Sequence, residues 1–182
     1  MSDAVPLSSS DVRALLENVS ARIGSVARLH RLLHRSEGKG DVDVGEYLEE
    51  VVDAVLSSIN NVHRIDHSFA VPMQCVLTPA AAAGLSLFVC EAITNAVKYS
   101  HPGGVHGRIS VSAERVGAGL RVEVADDGVG FPENFDSAAP TGDGMSIMSS
   151  LASQVGGTLS FESSPLGLTV RLDVPSSANR AL

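Results

Sequence analysis

The sequence predicts an α+β domain in which helices lie on one face of a mostly antiparallel sheet. Three observations carry that expectation. Two pairs of segments alternate apolar and polar residues at period two across short glycine-containing turns, the mark of hairpins. The stretch from Pro79 to Val97 is apolar but broken by Ser86, Glu91, Thr94 and Asn95, which reads as a buried helix rather than a membrane span. With 182 residues, 44% of them hydrophobic, the chain can bury one ordinary core, and 4% aromatics without tryptophan make that core aliphatic.

The elements follow in chain order. Ser8 to Ser10 offer N-caps, and a helix from Asp11 to about Arg35 carries Val12, Leu16, Val19, Ile23, Val26 and Leu33 in steps of four and three. His30 sits on that heptad seam, which can bury itself only against another helix. A polar loop, Ser36 to Asp41, precedes Asp43 and Glu46, a capping box opening a second helix through Tyr47, Leu48, Val51, Val52, Val55, Leu56 and Ile59. RIDHSFAV and QCVLT read as short strands. Thr78-Pro79 is an N-cap with proline at the first helical position, starting the long helix that HPGG ends after Ser100. ISVSAERV and LRVEVAD form a hairpin across Gly-Ala-Gly. A loop from Asp127 to Gly144 leads to a short helix, Met145 to Gln154, stopped by Gly156-Gly157. TLSFES and LTVRLDV close the fold as a second hairpin.

Composition removes several functions. A net charge of −8 argues against a nucleic-acid platform, which needs a basic surface. Cys75 and Cys90 are too few for a disulfide framework or a cysteine-rich zinc site, and read as reduced thiols. The first residues lack a basic segment followed by an apolar one, so a cytoplasmic location is expected and no membrane segment is. His63 and His67 are four apart but on a turn and strand, which does not make a metal pair. His101 and His106 are helix-end and loop residues.

Three patches carry chemistry. On the long helix, Glu91, Asn95 and Lys98 are spaced four and three apart and share a face. A carboxylate, an amide and an ammonium on an otherwise apolar helix form either an interior polar network, a Glu91–Lys98 ion pair, or a site. Asp126-Asp127-Gly128-Val129-Gly130 follows a strand and is either a turn or a place where a ligand approaches the backbone. Thr141 to Met145 leads glycine-rich backbone into a helix N-terminus, a plain loop or a phosphate cradle.

In their order and spacing the patches resemble the N, G1 and G2 boxes of the GHKL ATPase superfamily, over about Val62 to Pro175. LFVCEAITNAVKYSHPGG, VADDGVGFPENFD and TGDGMSIMSSLASQVGGTLSFES look most like the catalytic domains of sensor histidine kinases of the HWE-related subfamily. RLHRLLHRSEGKGDVDVGEYLEEV is similar to the second dimerisation helix and linker of that subfamily. The resemblance implies a two-layer α/β sandwich, the Bergerat ATPase fold, over 61–176, behind a helical dimerisation segment over 11–60. Residues 1–10 and 177–182 are read as frayed ends.

The resemblance also implies ATP and Mg²⁺ as cofactors and transfer of the γ-phosphoryl to a histidine. Asn95 would hold Mg²⁺, Glu91 would be the polarising carboxylate, Lys98 would contact phosphate and Tyr99 would line the pocket. Asp126 would accept the adenine amino group. Gly128 and Gly130 would shape the adenine pocket, and Gly142 and Gly144 the lid. Thr169 is the candidate contact from the last strand. A response-regulator receiver domain and a second copy, joined through the N-terminal helix, are the implied partners.

The chain departs from this pattern in three places. No HRxxN-like acceptor motif is present, and His30 and His34 fall where the second dimerisation helix would be, so the acceptor is expected outside this chain. Asp143 stands between the lid glycines, where an extra carboxylate should weaken phosphate binding. Counting back from Pro175 puts Leu168 where the family has threonine and Thr169 one residue off, and a one-residue slip reverses the side facing the pocket. Two other readings compete: a phosphotransferase-like protein docking a response regulator, and an anti-sigma-factor serine kinase.

Overall fold

The computed structural model describes residues 42–59, 65–71, 76–100, 107–132, 135 and 143–176. The helix expected from Asp11 to Arg35 with His30 and His34, the 36–41 loop, His63, Cys75, His101, His106, Thr141, Gly142 and the 177–182 tail lie outside the described residues. The fold is α+β, with a five-stranded sheet covered on one face by helices.

The chain enters through β1, Val42–Asp43, and turns into α1, Val44–Ile59. Asp43 Oδ1 accepts the Glu46 backbone N–H at 3.1 Å, the forward half of the expected capping box. β2, Ile65–Ala70, and β3, Val76–Leu77, follow as two short strands that do not pair with each other. β3 pairs with β1 in a separate antiparallel ladder. β2 runs parallel to β4, Gly107–Val116, and α2, Pro79–Tyr99, lies in the crossover that parallel neighbours require. Thr78 caps α2 by accepting from the Ala81 N–H at 3.3 Å, Pro79 opens the helix, and Ser100 is its C-cap.

β5, Gly119–Asp126, returns antiparallel to β4 through the two-residue turn Gly117-Ala118. α3, Asp143–Gln154, begins two residues before the expected Met145, since an acidic first residue suits a helix N-terminus. Its end is a Schellman motif: the Gly157 N–H bonds to the Ala152 carbonyl at 2.8 Å and the Gly156 N–H to the Ser153 carbonyl at 3.1 Å. β6, Thr158–Ser164, and β7, Gly167–Val174, form the last hairpin, and the sheet order is β2-β4-β5-β7-β6.

Period two explains which sheet face is covered. Ile109, Val111 and Ala113 of β4, Leu120, Val122 and Val124 of β5, and Val170, Leu172 and Val174 of β7 are buried together. The helices meet them with Leu85, Phe88, Val89 and Ile93 of α2 and Met145, Met148 and Leu151 of α3. The outward face carries Arg121 paired with Asp173 at 2.7 Å and Arg171 paired with Glu123. Among the described residues α2 alone is long and apolar enough to cross a bilayer, but 67% of its most apolar stretch is buried inside the fold. It is the core helix that its interrupting polar residues suggest.

α1 packs on α2 in the apolar core, and a buried polar contact joins them. The Tyr47 hydroxyl donates to Ser86 Oγ at 3.2 Å, and Ser86 Oγ donates to the Ala83 carbonyl at 2.8 Å. Burial pushes the Tyr47 phenol from its ordinary 10.0 up to about 12. The folded chain therefore keeps a proton that the unfolded chain releases above pH 10, so folding stability falls as pH rises from 10 to 12. Urea midpoints followed over that range should drop more steeply for the wild type than for Tyr47→Phe. Parallel curves would show that the phenol is not protected by the α1–α2 contact.

Candidate functional site

The two adjacent carboxylates at the end of β5 have different fates because side chains alternate. Asp126 continues the inward set Leu120, Val122 and Val124, whereas Asp127 is exposed. Asp127 ties the strand end to β4: its Oδ1 accepts the Arg108 N–H at 2.7 Å, and its own N–H donates to the Arg108 carbonyl at 3.3 Å. Asp126 Oδ1 accepts the Gly128 N–H at 2.9 Å and, at a longer 3.4 Å, the Leu168 N–H at the start of β7.

The loop after Asp126 is seated on the end of α2. The Val129 N–H donates to the Ser100 carbonyl at 3.0 Å, and a Cβ on Gly128 would fall 2.2 Å from Ser100 Cβ. Only glycine fits at 128, and that fit brings the Asp126 patch against the helix bearing Glu91 and Asn95. Ser100 is itself buried, its hydroxyl donating to the Ala96 carbonyl.

The polar face of α2 runs from interior to surface. Glu91 is 5% exposed, Asn95 is half-buried and Lys98 is exposed. The first turn of α3 lies over the inner end: a Cβ on Gly144 would stand 3.1 Å from Asn95 Oδ1 and 3.2 Å from Glu91 Oε2. The third patch thus closes on the first, as their joint reading as one site requires.

Between α2, α3, the 126–132 segment with Phe135, and β7 is a cavity of about 350 Å³. Asn95, Tyr99, Ser100, Asp126, Gly130 and Gly144 line it with polar or backbone groups. Val129, Phe131, Pro132, Phe135, Met145 and Leu168 supply an apolar wall. Phe131 and Phe135 stack with ring centres 3.8 Å apart, and Phe161 meets Phe131 edge-on at 5.6 Å. The Phe131 N–H donates to Ser163 Oγ at 2.8 Å, which fastens this wall to β6.

Of the residues singled out from sequence, Asn95, Tyr99, Asp126, Gly130 and Gly144 line the cavity. Glu91 is not in the wall but approaches Gly144 beside Asn95, and Gly128 packs tightly on Ser100, which is in it. Lys98 is one turn from Asn95 but is not in the wall. Thr169 does not join them. Leu168 shares the inward side of β7 with Val170 and Leu172, so Thr169 faces outward with Arg171 and Asp173.

Leu168 therefore replaces Thr169 as the side chain that β7 gives to the cavity. Sequence reading also passed over Val129, Phe131 and Phe135, which lie in a loop with no periodicity to reveal a facing, and Gly167. A Cβ on Gly167 would sit 1.9 Å from the Asp126 carbonyl oxygen. The signal for Leu168 was present, since alternation from Val170 reaches it directly.

Residues 80–178 match the sequence family described as histidine kinase-, DNA gyrase B- and HSP90-like ATPase. The chain belongs to this ATPase family. Residues 2–59 match a second family, described as histidine kinase. The sensor histidine kinase PdtaS of Mycobacterium tuberculosis is 31% identical over 168 residues, covering 89% of this chain and 32% of the relative. The sensor-type histidine kinase PrrB of Mycobacterium leprae is 30% identical over 183 residues, covering 91% of this chain and 39% of PrrB.

The chain thus spans about a third of the length of the curated relatives it matches. In fold it is similar to the histidine kinase domain of a blue-light-activated histidine kinase from Erythrobacter litoralis. That match has a TM-score of 0.77 and 24% identity, and covers 87% of this chain and 74% of the solved one. As a member of the ATPase family this is an ATP-binding domain, and its relatives are sensor histidine kinases.

Proposed function

We propose that the cavity bounded by α2, α3 and the start of β7 binds Mg-ATP, and that the chain is the catalytic portion of a sensor histidine kinase. The observation that carries this reading is the convergence of Asn95, Asp126 and Gly144, from three separate segments, on one half-apolar cavity. Asp126 accepts the adenine amino group, Tyr99 and Gly130 bound the base, and Gly128 packs on Ser100 behind it. Gly144 brings helix-start backbone close to the phosphates, which Lys98 meets near the surface.

The donor set fits magnesium. Asn95 offers an amide oxygen and Glu91 a carboxylate oxygen, 3.1 and 3.2 Å from where a Gly144 Cβ would stand, and no cluster of three or more His, Cys, Asp or Glu suited to a metal exists among the described residues. Such a sparse set suits an ion held mainly by phosphate oxygens and water. The bound ion would neutralise phosphate charge during transfer of the γ-phosphoryl to a histidine. Glu91 is then placed to take the proton that the attacking imidazole loses.

The division at about residue 60 separates the helical segment from the ATP-binding domain. Membership of the histidine kinase family supports a response-regulator partner and dimerisation; we assign the dimer contact to the helical segment and the chain to the cytoplasm. Calorimetric titration with ADP in magnesium buffer tests the site directly. Saturable binding supports the reading, and no heat up to about millimolar ADP with a folded protein overturns it.

A further inference from the structure

The wall beside Asp126 is hydrocarbon where a second polar reader of a base could stand. Asp126 is a carboxylate, able to accept hydrogen bonds and not to donate them. β7 lies next to it, with Ala125 opposite Thr169 and the Leu168 N–H already given to Asp126 Oδ1. The side chain β7 presents there is Leu168, and its hydroxyl-bearing neighbour Thr169 faces the other side of the sheet. The nearby Ser100 hydroxyl gives its single proton to the Ala96 carbonyl. Val129, Phe131 and Met145 continue the apolar surface.

We infer that Leu168 sets base specificity: Asp126 reads the exocyclic amino group of the base, and among the described residues β7 sets a hydrocarbon side chain beside it in place of a hydroxyl. The ring nitrogen beside that amino group, N1 of adenine, then meets leucine and receives no side-chain donor from β7. The inference rests on the nucleotide reading above and deepens it. A base with an amino group at that edge is accepted whatever atom lies beside it. A base with an oxo group there turns an acceptor toward the carboxylate and is rejected.

Binding of ADP, 1-deaza-ADP and inosine diphosphate to the wild type tests this, with Leu168→Thr and Leu168→Val alongside. In the wild type, 1-deaza-ADP should bind within about threefold of ADP, because no hydrogen bond is lost, and inosine diphosphate at least about tenfold more weakly. Leu168→Thr should create a preference of about fivefold to tenfold for ADP over 1-deaza-ADP, the worth of one neutral hydrogen bond. Leu168→Val should not. A wild type that prefers ADP to 1-deaza-ADP tenfold overturns the inference, as does a folded Leu168→Thr with an unchanged ratio. If that variant does not fold, the wild-type ratio decides alone. Equal binding of inosine diphosphate and ADP overturns the reading of the amino group. Failure of ADP itself to bind overturns the nucleotide site, a result distinct from any change in ratio.

Discussion

Asn95→Ala is expected to weaken ADP binding about a hundredfold in magnesium buffer, at the upper end of what disturbing a metal site costs. In EDTA the wild type and the variant should bind alike. The reason lies in the position of the amide, beside Glu91 Oε2 and under the first turn of α3, where it is one of two side-chain oxygens near Gly144. Loss of one oxygen from so small a set weakens the protein's hold on the ion and leaves the Asp126 and Leu168 end of the cavity in place. The fold should survive, because Asn95 is only half-buried and alanine is the better helix former. Melting temperature and ADP affinity measured with and without magnesium separate the two effects. A variant that keeps the full magnesium-dependent gain would remove Asn95 from the metal site.

Gly167→Ala should damage both folding and binding. Gly167 has φ of +137°, and a Cβ there would lie 1.9 Å from the Asp126 carbonyl oxygen and 2.9 Å from the carbonyl carbon. The obstacle is backbone, which cannot swing aside as a long side chain could. Strain of about 1–3 kcal/mol and a similar cost for forcing β5 and β7 apart act together. That is a large part of a domain's typical stability of about 5–15 kcal/mol. Gly117→Ala is the control: φ is +61° but nothing lies within 4 Å of the added atom, so only about 1–2 kcal/mol of strain is expected. Urea midpoints should fall further for Gly167→Ala, and ADP affinity should fall for that variant alone, since Leu168 and Asp126 would separate. Equal losses in the two variants would show that the close approach does not matter.

The regular parts of the fold were legible because each had a local signal. Thr78-Pro79 marked the start of α2, Asp43 with Glu46 marked α1, and alternation around Gly117 and Gly167 marked the two hairpins. The parallel pairing of β2 with β4 had no such signal, since period two fixes a strand's faces but not its partner's direction. β1 and β3 have two residues each, too few to show any pattern. In the site, Asn95, Asp126 and the glycines stood out because polar groups inside apolar elements are costly and demand a reason. The aromatic wall stayed hidden because hydrophobic residues in a loop look like any other packing. Thr169 was a matter of chemistry against geometry: a hydroxyl is the better ligand, but the strand register turns it outward.

Main-chain N–H groups of Gly128 and Leu168 are among the groups that steady the carboxylate of Asp126. These supports are indifferent to the side chains around them, provided positions 128 and 167 stay glycine. A lineage carrying this backbone can therefore exchange the residues of the surrounding wall one at a time without re-aiming the carboxylate. The point of recognition is inherited with the main chain, and selectivity can drift around it.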